Sequence, residues 1–205
     1  MVKTPKDIVR DGYDRLASAY RKHYQSDHET NYPNWLASLV PLLPPTSKVL
    51  ELGCADGLPT ARYLSQQFDY LGIDLSPVQI ELARQNVPAA QFAVADMTAL
   101  SFPEQTFSGI VALYSIIHIP LTEQPVLLRS LYRWLKPNGY LLCTVGAGEW
   151  TGTDENWIVP GASMYWSHTD ASTYLSWFTA MGFTVVHSDF IPEGNSGHTL
   201  FLLRK

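Results

Sequence analysis

The stretch Val49-Leu50-Glu51-Leu52-Gly53-Cys54-Ala55-Asp56-Gly57 leaves this chain few folds to choose from. An apolar run reads as a buried strand, ends in a turn of small residues, and gives way to a helical segment. A second apolar run then closes on a carboxylate in Gly72-Ile73-Asp74. Strand, tight turn, helix and acid-tipped strand are the parts with which an α/β sheet builds a nucleoside pocket at the carboxyl ends of its strands.

Glu51 narrows the choice of nucleoside. A turn that cradles phosphate has no use for a carboxylate in its mouth, because the bound pyrophosphate is already negative. A ligand carrying an amine cation and a sulfonium tolerates one, so the charge points to S-adenosylmethionine (SAM) and away from NAD. Three further segments follow in order: Ala95-Asp96-Met97, Phe107-Ser108-Gly109-Ile110-Val111 and Leu135-Lys136-Pro137-Asn138-Gly139-Tyr140-Leu141. With the two motifs above, they make residues 47–145 resemble the class I SAM-dependent methyltransferases of the small stand-alone type. The resemblance implies a Rossmann-like, seven-stranded, mostly parallel sheet of order 3-2-1-4-5-7-6 with helices on both faces. Ala55 stands where the family usually has its middle glycine, and Ser108 where it commonly has aspartate.

Length and composition agree with one well-buried α/β domain over 1–205. Within it we expect a helical cap at 1–45, a cofactor-binding core at 46–145, and a substrate loop with the last strands at 146–205. Apolar content of 46% with 12% aromatics excludes disorder. There is no apolar run of about 18 residues, so no membrane span is expected, and residues 3–22 mix basic and acidic groups unlike a signal peptide. Cys54 and Cys143 read as buried thiols in a reducing cytoplasm. The net charge of −5 argues against a polyanionic partner. No lysine or arginine lies between Pro137 and Leu203, so that half offers nothing to neutralise nucleic-acid phosphates.

Periodicity predicts a helix over 5–25 and another over 31–40, punctuated by Pro41, Pro44 and Pro45. Strands are expected at 47–52, 69–73, 90–94, 107–113 and 139–145, with helices over 57–67, after Ser76-Pro77, and over 122–134. Ser76 is placed to cap its helix and Pro77 to begin it. Residues 146–167 carry no pattern and read as a long functional loop. A helix from Thr169 or Asp170 to Met181, closed by Gly182, and strands near 183–190 and 198–203 complete the chain.

Asp74, at the end of the second strand, is placed to accept both ribose hydroxyls. The resemblance implies that Asp96 and the Met97 backbone read the adenine, with Leu75 and Met97 on its two faces. Gly53, Ala55 and Gly57 form the turn against the ligand, with Glu51 beneath it and Tyr114 beside it. Tyr13 and Tyr20 share one helix face, in a Tyr-Asp-x-x-Ala-x-x-Tyr pattern whose helix folds over the cofactor in related enzymes. Each of these residues also has a plain structural reading: a turn aspartate, a buried loop carboxyl, core aromatics.

Methyl transfer is an in-line displacement in which the sulfonium supplies the driving force and the protein supplies alignment and dryness. No metal is needed, and no spaced His/Cys cluster offers one a site. A hydroxyl or ammonium acceptor needs a base, and His118, His168 and His198 are the candidates. Trp150, Trp157, Met164, Tyr165 and Trp166 are expected to wall a pocket for a small-molecule acceptor. Aromatic walls in an acidic half suit a neutral aromatic or a cationic amine. A nucleotide-dependent dehydrogenase is disfavoured by Glu51 and by the missing Gly-x-Gly-x-x-Gly fingerprint. A protein side-chain acceptor and a non-catalytic SAM-binding protein remain as alternatives.

Overall fold

The computed structural model describes residues 3–17, 19–24 and 31–205. Helix α1 (Pro5–Leu16) starts at a reciprocal cap. The Thr4 hydroxyl accepts from the Asp7 N–H, and the Asp7 carboxylate accepts from the Thr4 N–H, each at 3.2 Å. The helix expected over 5–25 breaks at Ala17, whose φ is +43°, and resumes as α2 (Ala19–Tyr24). The amide of Gln79 explains the break: Nε2 donates to the carbonyls of Tyr13 and Ala17 at 3.3 and 3.1 Å, ending the helix from outside. Ser18 and residue 25 of the expected helix lie outside the described residues. Helix α3 (Tyr32–Leu39) runs into a 3₁₀ turn at Val40–Leu42 and stops before the prolines.

Strands β1 (Lys48–Leu52), β2 (Asp69–Asp74), β3 (Gln91–Val94), β4 (Phe107–Ala112) and β5 (Leu135–Gly146) pair in parallel, in the order β3-β2-β1-β4-β5. β4 is buried at every position, which is the signature of a strand covered on both faces. Helix α4 (Thr60–Leu64) is shorter than the expected 57–67, because the turn runs on through Pro59. Helix α5 (Pro77–Asn86) opens on Ser76, whose hydroxyl accepts from the Gln79 N–H at 3.0 Å. Helix α6 (Gln124–Trp134) and helix α7 (Ala171–Met181) pack over the face of the sheet holding Leu50, Ile110 and Leu141. α7 closes at Gly182, φ +97°, where a Cβ would meet the Tyr132 hydroxyl at 2.8 Å. The opposite face packs Val49, Val111 and Leu142 against Leu36, Leu39 and Leu64.

The stretch 146–167, expected to be without pattern, is instead a hairpin. β6 (Trp150–Asp154) and β7 (Met164–His168) form their own antiparallel two-stranded sheet, paired from Trp150↔His168 to Asp154↔Met164. The pattern is silent because β6 is mostly exposed and carries Thr, Gly and Asp in place of alternating apolar residues. Two last strands, β8 (Thr184–Glu193) and β9 (Ser196–Arg204), fold back on each other, and β9 inserts antiparallel between β5 and β8. With the hairpin strands set aside, the main sheet has the expected order 3-2-1-4-5-7-6. Among the described residues, no helix is long and apolar enough to cross a membrane.

One buried amide ties the hairpin to α6 and α7. Gln124 Nε2 donates to the carbonyls of Ile119 and Ser167 at 2.7 and 2.6 Å, and its Oε1 accepts from the Tyr174 hydroxyl at 2.6 Å. Ser167 Oγ accepts in turn from the Leu121 N–H at 3.0 Å. Gln124→Leu keeps the volume but takes a partner from two carbonyls and a hydroxyl. We expect a loss of about 3 kcal/mol or more in urea unfolding, at roughly 1–3 kcal/mol per orphaned buried group. A loss under about 0.5 kcal/mol would show that the amide is dispensable.

Candidate active site

The parallel register sets the site. Glu51 on β1 stands opposite Gly72 on β2, so the two strands release their chains side by side into the Gly53–Gly57 turn and the Asp74–Ser76 turn. The Asp74 carboxylate clasps both. One oxygen accepts from the Ala55 N–H and the other from the Ser76 N–H, each at 2.9 Å. Gly53 has φ +77°, and a Cβ there would meet the Ser115 Cβ at 2.4 Å, so nothing larger fits. Ala55, in the family's middle-glycine position, takes φ +45° all the same. That left-handed conformation is one only glycine adopts freely.

Glu51 is buried, with its carboxylate accepting from the Tyr70 hydroxyl. Burial pushes its carboxyl up to about 8, against bonds from Tyr70 and Thr60 that favour the charged form. Burial likewise pushes Asp74 up to about 6, against bonds from the N–H groups of Ser76, Ala55 and Leu75. Two acids are thus held near the carboxyl ends of β1 and β2, where a ligand cation would charge them.

A first cavity opens above these ends. Of the residues expected to hold a cofactor, Tyr13, Tyr20, Glu51, Gly53, Ala55, Asp74, Leu75, Asp96, Met97 and Tyr114 line it. Gly57 does not. At φ +78° it faces away from the cavity, where a Cβ would sit 3.3 Å from Ala83 and Phe92, so it serves the packing of the turn on α5 and the sheet. Asp96 is already engaged: Oδ1 accepts from the Thr98 N–H at 2.8 Å, and Oδ2 lies 3.0 Å from Lys6 Nζ. Lys6, Tyr32 and Ser115 also line this cavity and carry no sequence signal. Lys6 joins Asp96, Thr98 and Glu123, binding α1 across the sheet edge. The buried Ser115 Oγ has no hydrogen-bond partner among the described residues.

A second cavity of about 480 Å³ adjoins the first, under the hairpin. Tyr13, Tyr20, Tyr32, Leu58, Tyr114 and His118 line both and form the partition between them. Trp150, Trp157 and Trp166 line the second cavity. The Tyr165 and Met164 side chains do not. Tyr165 points to the other side of β7 from Trp166 and His168, as alternation along a strand requires, and Met164 is buried, packed against Gly12 of α1. Arg21 of α2 grips Asp56 and the Leu58 carbonyl, fastening the helical cap onto the turn. Asp56 belongs to the turn motif, but nothing in the sequence paired it with a residue so far upstream.

All three candidate histidines face the second cavity, and their partners differ. His118 Nδ1 lies 2.8 Å from the Tyr165 carbonyl, which can only accept, so Nδ1 carries the proton and Nε2 accepts from the Tyr13 hydroxyl at 3.1 Å. Burial drives its pKa down to about 4, opposed by the Tyr165 bond, which leaves a neutral ring with both nitrogens occupied. His168 Nδ1 likewise donates to a carbonyl, that of Gly148, at 2.6 Å, and burial lowers its pKa. His198 differs: its Nδ1 lies 3.2 Å from the Glu193 carboxylate across the tight β8–β9 turn, within ion-pair reach but outside hydrogen-bond geometry. Among the described residues, no group of His, Cys, Asp and Glu could hold a metal ion.

Comparison with known proteins places this arrangement in a wider set. Residues 20–188 match the family model described as a methyltransferase domain. Phosphoethanolamine N-methyltransferase 3 of Arabidopsis thaliana is 38% identical over 108 residues, covering 50% of this chain and 21% of that protein. A tRNA (carboxymethyluridine(34)-5-O)-methyltransferase of the same plant is 26% identical over 180 residues, covering 80% of this chain and 43% of the other. The match spans about a fifth of the length of the phosphoethanolamine relatives. Magnesium protoporphyrin IX methyltransferase of Synechocystis PCC 6803, solved with SAM bound, superposes with a TM-score of 0.77 at 16% identity, over 100% of this chain and 98% of that one. At that identity it speaks for the fold.

The raised acids make stability depend on pH. Between the ordinary glutamate value of 4.5 and about 8, Glu51 is ionised in the unfolded chain and protonated in the folded one. The unfolded state then binds fewer protons, so stability falls as pH rises through that window. Asp74 adds to the slope only up to about pH 6. His118, held down to about 4 from an ordinary 6.5, contributes the opposite slope below about 6.5, so we expect the ligand-free protein to lose stability from about pH 6.5 to pH 8 in urea titrations. Glu51→Gln should flatten the part above pH 6. An unchanged slope there in the variant would remove Glu51 as its source.

Proposed function

The chain belongs to the methyltransferase domain family, and on that footing we propose that it transfers a methyl group from SAM to a nitrogen or oxygen of a small molecule. The observation that carries this reading is the shared partition. A cavity at the strand ends and an aromatic cavity beside it meet at Tyr13, Tyr20, Tyr32, Leu58, Tyr114 and His118. A donor in the first and an acceptor in the second would face each other there, in line and away from bulk water.

The first cavity suits the donor. In this reading Asp74 would accept the ribose hydroxyls, Leu75 and Met97 would cover the adenine faces, and Gly53 would let the methionine part approach closely. Glu51 offers the ligand's cations a carboxylate, and the unpartnered Ser115 hydroxyl offers a hydrogen bond. When bound, SAM supplies a methyl carbon already activated by positive sulfur. The protein's part is to align the acceptor and to take its proton. We assign that proton to His198, the candidate whose partner is a carboxylate. Glu193, within ion-pair distance of Nδ1 though not in hydrogen-bond geometry, can balance the charge of the ring once Nε2 has taken the proton. His118 then positions the Tyr13 hydroxyl at the partition.

A cavity of about 480 Å³ is the size that encloses a small molecule. It favours that class of acceptor over the RNA of the tRNA-modifying relative, which would need basic groups that residues 137–203 lack.

Calorimetric titration with SAM and its demethylated product S-adenosylhomocysteine tests the core of the reading. We expect micromolar binding of both. Asp74→Asn should weaken both by roughly 100-fold, the equivalent of two charge-assisted bonds at about 1.5 kcal/mol each. Failure of the intact protein to bind either ligand would overturn the proposal. With an acceptor in hand, His198→Gln should leave those affinities intact and lower turnover by roughly 100- to 10,000-fold. Undiminished turnover would move the base elsewhere.

A further inference from the structure

The charges around the second cavity go beyond what its size and aromatic content explain. Among the described residues lining it, Glu149 and Glu193 are acidic, and Arg21 is the one Lys or Arg. The Arg21 charge is already balanced by Asp56, with the Leu58 carbonyl on the same guanidinium. An anionic acceptor would therefore meet two carboxylates and no uncompensated cation. A phosphate ester fares worst, since it needs a charge-assisted fork that the cavity does not hold ready.

The aromatic walls point the same way. Trp157 stands edge-on to Trp166, with ring centroids 5.2 Å apart and planes at 89°. Its centroid is 5.8 Å from that of Tyr13 and 6.0 Å from that of Tyr20. These rings share one wall of the cavity, and an indole or phenol face there attracts an ammonium and does nothing for a carboxylate.

We propose that the acceptor is a cationic amine with an apolar body, held by the Trp157–Trp166–Tyr13–Tyr20 wall and by the negative charge of Glu193. This rests on the methyltransferase reading and gives it a substrate class. The ammonium first passes a proton to Nε2 of His198, with Glu193 3.2 Å from Nδ1 as counter-charge. The freed nitrogen lone pair then forms the bond to the methyl carbon, while the carbon–sulfur bond breaks with its electron pair going to sulfur. The positive charge lost from sulfur reappears on the methylated nitrogen, so atoms and charge balance.

A probe that cannot be methylated separates recognition from turnover. Tryptophan fluorescence of the full chain, with and without S-adenosylhomocysteine, is titrated with three matched compounds: benzyltrimethylammonium, its uncharged carbon isostere neopentylbenzene, and phenylacetate. We expect the cation to bind at least about tenfold more tightly than the isostere, and phenylacetate to bind weakest. Trp157→Leu should weaken the cation by roughly 3- to 30-fold and leave the isostere unchanged. Glu193→Gln should shrink the preference for charge without altering S-adenosylhomocysteine affinity. The isostere or phenylacetate binding as tightly as the cation, or none of the three binding, overturns the proposal. Calorimetry with S-adenosylhomocysteine alone reports separately: bound product with no cation preference removes only the substrate class, and unbound product removes the activity beneath it.

Discussion

Two backbone turns meet on one carboxylate. Asp74 takes an N–H from Ala55 in the turn after β1 and one from Ser76 at the start of α5, so a single side chain sets the distance between the two strand ends. The left-handed Ala55, the close approach of Gly53 to Ser115, and the burial of Glu51 under the turn all presuppose that clasp. It is built in a dry place, which is why the acid itself is pushed up to about 6. A ligand that brings hydroxyl donors and positive charge completes what the protein leaves partly compensated.

Polar bonds fasten the helical cap to this centre, alongside the apolar packing of Val9, Leu16, Leu36 and Leu39. Lys6 reaches Asp96 and Glu123, Asp14 accepts from the Ser76 hydroxyl at 2.5 Å, Gln79 holds the end of α1, and Arg21 grips Asp56. Each partner lies on or next to a segment that lines the first cavity. The cap is therefore registered to the Gly53–Gly57 turn, and Tyr13 and Tyr20 are delivered to the partition between the cavities. The hairpin is registered from the other side, through Gln124, Ser167 and the His118–Tyr165 bond.

Three histidines that look alike in sequence are separated by their partners. A carbonyl opposite Nδ1 fixes the tautomer of His118 and of His168, while a carboxylate opposite Nδ1 is found only at His198. That difference comes from β8 and β9 folding back tightly enough to set Glu193 beside His198 across the turn. No local pattern announces it, because a glutamate before a glycine turn is an ordinary surface residue in most chains.

The resemblance to class I SAM-dependent methyltransferases implied the strand order, and the sequence by itself determined the strands of the main sheet and the Gly53–Gly57 turn. These are written in contiguous segments: apolar strands, glycine where the backbone must turn or approach closely, a carboxylate at a strand tip, caps such as Ser76-Pro77 and Asp170. Local spacing is enough to specify them, because each is satisfied mainly by near neighbours along the chain or by the adjoining strand. The second cavity was decided only by the tertiary structure. Its wall draws on α1, α2, the end of β4, the hairpin and the β8–β9 turn, from Tyr13 to His198. The hairpin hid because its strands are paired only with each other and β6 faces solvent, so no buried face imposed alternation on the sequence. Gly57 and Tyr165 misled for the same reason: a motif gives a residue's place along the chain, and the packing of the whole molecule gives the direction in which it faces.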